Sequence, residues 1–290
     1  MYDSLEEIVS VCEKENISFP DLIIREDAAD ADITIEEEIG KMRVMWQAIL
    51  DGARNYDPKL KSRSGLVGGD GYKMQAYRES NTTICGDYMG RVIQAAIETS
   101  ESNACMKRIV AAPTAGSCGV LPAVLVPFYD EYKVSDDEMV KALFVAAGVG
   151  EVVARRASIS GAEGGCQAEM GTAAAMGAAA LVYLKGGSPM QMITASGMAI
   201  QNLLGLVCDP VAGLVEVPCV KRNVIGAVNA CSAADVALAG ISVRIPPDQI
   251  IDAMKDVGDS LNSRFKETAR GGLAITPEGI KIRELVKSVS

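Results

Sequence analysis

Two stretches without a charged residue, 170–184 and 186–208, limit this chain's fold more than any other feature. Only Lys185 separates them. A surface helix needs a polar side for water, and neither stretch has a charged one. The first, at 15 residues, is too short to cross a bilayer comfortably, and Gln191, Thr194, Gln201 and Asn202 interrupt the second. No membrane is expected, and both should be buried helices of a globular body. The first should run from just after Cys166 to about Leu184 and stop at Gly186-Gly187. Ser188-Pro189 then opens the second with a cap and a proline in the first turn.

The flanking sequence carries the same helical period. Ser4-Leu-Glu-Glu7 has the form of a capping box and starts a short helix to about Lys14. Residues 25–32 are acidic and Ala-rich with no apolar period, and are expected to be a solvated connection that leaves 1–33 peripheral. Thr34-Ile-Glu-Glu37 opens a longer helix to about Arg54, with Met42, Met45, Trp46 and Ile49 on one face. Further helices are expected at 82–98, at Val120–Tyr132, after the Ser135 cap (Val140, Leu143, Phe144 and Ala147 at helical spacing), at 222–239, at 247–261 and from Pro277 to the end. Only Ile241–Ile245 alternates as a strand does. Without repeated strand–helix alternation a doubly wound sheet is not expected. The expectation is a mainly α chain, one compact helical domain over 1–290 with little or no sheet.

Composition fits closely packed helices: 49% of residues are apolar but only 4% aromatic, and Ala and Gly supply much of the difference. The net charge of −10 argues against nucleic acid, which needs a basic face. Eight Cys in 290 residues are too sparse for a disulfide scaffold. No apolar signal segment follows Met1, so a reducing cytosol is the expected compartment.

The chain contains no His at all. That removes a Ser-His-Asp triad, a His-rich zinc site and a histidine base of its own. The tight spacings of ferredoxin-type clusters are missing, as are a dinucleotide-binding Gly motif and a Walker loop. Three thiols in Gly- or Pro-marked turns remain: Gly-Ala-Glu-Gly-Gly-Cys166, Cys208-Asp-Pro and Val-Pro-Cys219, with 41 and then 10 residues between them. Spacing alone leaves two readings open: buried structural thiols, or ligands of a cluster with one iron left without a protein ligand. Two small-residue loops, Ser64 to Gly71 and Thr114 to Gly119, could form anion-binding hollows that suit a carboxylate, or could be ordinary turns.

Taken together, the three Cys, Ala-Pro-Thr-Ala-Gly-Ser-Cys-Gly (112–119) and Ser-Gly-Leu-Val-Gly-Gly-Asp-Gly (64–71) resemble the alpha chain of iron–sulfur-dependent L-serine dehydratase, over essentially the whole chain. The resemblance implies a helical catalytic domain without pyridoxal phosphate. It implies a [4Fe–4S] cluster on Cys166, Cys208 and Cys219 with one open iron, and conversion of L-serine to pyruvate and ammonia. On this reading Ser64, Thr114, Ser117 and, as a weaker candidate for charge neutralisation, Lys73 serve the reaction, and Gly65, Gly68, Gly69, Ala115 and Gly116 line the substrate. Single-chain relatives carry a second, histidine-containing domain, so a separate beta chain supplying a His, and hence a hetero-oligomer, is expected. Such relatives can also end in a Cys-bearing tail that reaches the open iron; the last Cys here is Cys231, so tail capping is not carried over. Cys118 is left unassigned. Rival readings are elimination from L-threonine or L-cysteine on the same cluster, a pyridoxal-phosphate dehydratase, and a non-catalytic cluster subunit.

Overall fold

The computed structural model describes residues 2–80 and 82–289; Met1 and Ser290, the ends of the expected domain, lie outside the described residues. Thirteen helices make up the described fold: α1 (Leu5–Glu15), α2 (Phe19–Asp30), α3 (Ile35–Arg54), α4 (Asp70–Ser80), α5 (Gly86–Ala104), α6 (Val120–Tyr132), α7 (Asp136–Arg156), the single turn α8 (Gly161–Gly164), α9 (Thr172–Leu184), α10 (Pro189–Gln201), α11 (Cys219–Leu238), α12 (Pro247–Ser260) and α13 (Pro277–Val289). No strand occurs among the described residues; one isolated bridge joins Cys208 to Lys266. None of the described helices is long and apolar enough to cross a membrane.

The first uncharged stretch becomes α9, the axis of the molecule. Every residue from Thr172 to Val182 is buried, and α6, α7, α10 and α11 surround it. Small residues let these neighbours come close: a Cβ on Gly177 would stand 3.1 Å from Val124 Cγ2, and one on Gly150 of α7 3.0 Å from Met176 Sδ. One continuous core draws side chains from α1, α2, α3, α5, α6, α7 and α9 to α12, with Trp46, Phe19, Phe144 and Leu22 among its largest members.

Helix starts follow the side chains that cap them. Thr34 Oγ1 accepts from Glu37 N while Glu37 reaches back to Thr34 N, and Ser188 and Gln191 repeat the exchange ahead of α10. At α1, Ser4 Oγ accepts from Glu7 N, but Glu7 bonds to Asp3 N, one residue before the cap.

Four local expectations are corrected. Residues 25–32 are not a solvated connection: α2 runs through Asp30, with Ser18 as cap and Pro20 in its first turn. Its apolar Phe19, Leu22, Ile23 and Ala28 are buried, Asp30 is exposed, and Asp21, Glu26 and Asp27 are partly exposed. Segment 1–33 thereby contributes Leu5, Ile8, Phe19 and Leu22 to the core. Met45 is 49% exposed although Trp46 and Ile49 beside it are buried, because the neighbours of α3 cover a narrower stripe than its apolar residues span. The helix expected at 82–98 begins at Gly86 and continues to Ala104. Ile241–Ile245 has no strand to pair with, and both Ile241 and Ile245 face solvent.

Candidate active site

Cys166, Cys208 and Cys219 come from three separate segments. Cys166 follows α8 and leads into a wide π-helical turn, Gln167–Gly171, that joins α9. Gly165 before it holds φ +75°, and a Cβ there would stand 2.7 Å from Leu261 Cδ1, so the turn needs glycine. The buried Gln167 side chain staples the turn in place: it donates to the carbonyls of Gly164 (3.0 Å) and Met254 (2.9 Å) and accepts from Gly205 N (2.9 Å). Cys208 is held by backbone bonds to Phe265 O and from Glu267 N. Cys219 opens α11. One turn later Asn223 donates to Cys219 O (3.0 Å) and Gly116 O (2.8 Å) and accepts from Gly119 N (2.8 Å), which ties α11 to the Thr114 loop.

The three thiols lie near enough to bear on one another's charge. Burial pushes Cys166 up to about 12, with Glu169 and Cys219 adding to the rise and Arg222 opposing it. Burial also raises Cys208, helped by Cys166 and Glu169, and pushes Cys219 up to about 11, again with Glu169. Cys118, inside the Thr114 loop, is pushed up to about 12 by burial and neighbours Cys219. A coordinating metal reverses this by deprotonating its thiols outright. Among the described residues no three His, Cys, Asp or Glu are grouped tightly enough for one ion. Three thiols are soft donors of the kind that iron–sulfur clusters take, so the chemistry of the donor set fits such a group.

The two loops differ. In the first, Glu101 of α5, 1% exposed, accepts from the amides of Gly68 (3.1 Å), Asp70 (3.0 Å) and Gly71 (3.1 Å) and from Tyr56 OH (2.6 Å). The hollow expected there is filled by the protein's own carboxylate. Gly65 and Gly69 shape the loop with left-handed backbone. Ser64 Oγ and Ser62 Oγ both donate to Glu216, at 2.5 and 2.8 Å, which carries this loop to within three residues of Cys219. Lys73 lies on the wet side of α4, paired with Asp70 at 2.8 Å; Lys221 takes the other oxygen of Asp70, and the two lysines pull that carboxyl down to about 2.

In the second loop the amides of Ala115, Gly116 and Ser117 have no acceptor among the described residues. Thr114 Oγ1 donates to Glu169 Oε1 (2.7 Å) and lies 3.1 Å from the fully buried Ser117 Oγ. A Cβ on Gly116 would stand 2.9 Å from Glu169 Oε1, and one on Gly161 would stand 2.8 Å from Oε2 and 3.0 Å from Cys208 Sγ. The carboxyl of Glu169 therefore fits between two bare glycines, beside the sulfur, and burial raises its pKa.

The family model for the serine dehydratase alpha chain matches residues 14–274. The chain belongs to that family. Among serine dehydratase relatives, a probable L-serine dehydratase alpha chain of Bacillus subtilis is 44% identical over all of this chain and 95% of its own length. The L-serine dehydratase alpha chain of Peptoniphilus asaccharolyticus is 40% identical over 98% of this chain and 97% of its own. An L-serine dehydratase of Escherichia coli is 36% identical over 94% of this chain but only 62% of its own, longer chain.

Of the residues singled out in the sequence of this serine dehydratase alpha chain, Thr114, Ser117, Gly116 and the three Cys meet around Glu169. Ser64 is linked through Glu216, and Lys73 stands apart. Sequence reasoning missed Glu169, Asn223, Arg222, Glu216 and Glu101. One signal was available for Glu169 and for Asp209, which pairs with Arg222: they are the charges that bound the two uncharged stretches.

Proposed function

We propose that this chain is the catalytic alpha chain of an L-serine dehydratase that removes water from L-serine, giving pyruvate and ammonia, with Cys166, Cys208 and Cys219 holding a [4Fe–4S] cluster. The observation that carries the reading is the convergence of two buried thiols and one half-buried thiol with a loop that offers three unused amides. The names of the relatives support the substrate. When bound, the cluster supplies a Lewis acid at its open iron, which eases departure of a hydroxyl.

The remaining tasks belong to the chain. The amides of Ala115, Gly116 and Ser117 and the Thr114 hydroxyl take the substrate carboxylate, where negative charge grows as the α-proton leaves; each good donor of this kind contributes about 3 kcal/mol. Ser117 holds Thr114 in position, and Ser64 with Glu216 ties the first loop to the segment that leads into Cys219. Glu169, kept protonated more readily by burial, supplies from Oε2 the proton that turns the departing hydroxide into water. The α-proton acceptor is a His of a separate beta chain, because this chain has none. The extra length of the Escherichia coli relative supports such a partner. A cytoplasmic hetero-oligomer follows from the free thiols and the partner.

The test is anaerobic co-purification with the beta chain, iron and sulfide quantitation, and a pyruvate assay on L-serine. Iron-loaded protein that makes pyruvate, and loses both iron and activity in air, is expected. Full turnover by iron-free material contradicts the proposal, and full turnover by the alpha chain alone contradicts the partner.

A further inference from the structure

The thiols sit among acids. Glu169, Glu267 and Asp209 surround them, and the one cation among the charges that bear most on Cys166 and Cys219 is Arg222. Arg222 lies on α11 one turn beyond Cys219, with its side chain 11% exposed and that of its partner Asp209 4% exposed. Nη2 donates to Asp209 Oδ1 at 2.7 Å and Nη1 to Val207 O at 2.8 Å. These two acceptors flank Cys208. Asp209 uses its other oxygen to accept from Leu273 N at 2.8 Å, and Gly272 packs so closely that a Cβ there would stand 2.2 Å from that oxygen.

A buried ion pair contributes little net stability, since desolvation offsets the attraction. The fork is therefore poorly explained as a fold stabiliser. It is well suited to hold a ligand turn and to oppose charge that appears only when the thiols ionise. We infer that Arg222 is a positioning residue for the thiolate set: it clasps the Cys208 turn to the helix that starts at Cys219 and offsets the negative charge of the loaded site. The inference rests on the cluster reading above. A lysine cannot do the same, because a single ammonium lacks the planar fork that reaches both acceptors.

The experiment uses the complex with its beta chain, loaded anaerobically with ferrous iron and sulfide, in wild type, Arg222→Lys and the double variant Arg222→Met/Asp209→Leu. The double variant leaves no unpaired buried charge and should fold. Iron release to a ferrous chelator and the midpoint potential of the bound iron are measured, with helix content of iron-free protein as the folding check. Release roughly 10–100-fold faster in the double variant is expected, with the potential displaced from wild type because the charges and hydrogen bonds around the Cys208 turn have changed. Arg222→Lys should release iron faster than wild type while keeping most of the potential. Wild-type release and potential in a folded double variant overturn the inference; if that variant does not fold, a wild-type release rate in Arg222→Lys overturns it alone. Wild type that takes up no iron overturns the cluster reading and this inference together, whereas loaded wild type indifferent to Arg222 overturns only the inference.

Discussion

Glu169 carries the sharpest consequence at the scale of single residues. It bonds to Thr114, 55 positions earlier in the chain, and shares the bare face of Gly161 with Cys208 Sγ. Glu169→Gln keeps the shape and removes the transferable proton. The expected result is kcat lower by roughly 100-fold or more with KM and iron per chain near wild type; unchanged kcat removes Glu169 from the proton path. Asp27 on α2 gives a prediction for stability. Burial, then Glu151, Glu38 and Asp30, push its carboxyl up to about 6. The native state thus binds this proton more tightly than the unfolded chain, whose carboxyl has the ordinary value near 4. Stability falls as pH rises across the interval between those two values and stays reduced above it. Asp27→Asn should flatten that slope and, at pH 7, stabilise by about 1 kcal/mol after allowance for partial solvent access. Thermal unfolding at pH 4 and pH 7 measures it; equal gains at both pH values contradict the assignment.

At the scale of elements, the helices that depend on local chemistry were legible. Ser188-Pro189 begins α10 and Thr34 begins α3 because cap and first turn lie within four residues of each other. Val120–Tyr132 matched as read, since its apolar run and its Gly119 start are both local. α4 escaped notice for the opposite reason. Only Gly71 of its residues is buried, and what holds its start is Glu101, some 30 positions later. The central element makes a quantitative demand. Ala178 in α9 is fully buried with helices on several sides, so Ala178→Leu should overpack the core and cost about 1–3 kcal/mol. Denaturant unfolding tests this, and a neutral result would mean that α9 has room its neighbours do not display.

For the whole molecule, the fold class could be read from two uncharged stretches, but the site could not be read from spacing. Cys166, Cys208 and Cys219 are separated too widely for any motif, and only the packing of the turn after α8, the Cys208 turn held by Phe265 and Glu267, and the start of α11 brings them near Glu169. Asn223 reaches 107 positions back to Gly116, a contact with no local signature. The same assembly explains why only one of two similar Gly-rich loops keeps its amides free: Glu101 reaches the first and no carboxylate accepts from the amides of the second. The central claim is that three side chains hold the cluster and leave one iron to the substrate. Mössbauer spectra of anaerobic complex loaded with iron-57, recorded with and without L-serine, test it most directly. One iron site should change its signal on adding L-serine while the others stay put. Spectra that L-serine leaves untouched, or a chain that binds no iron, would contradict it.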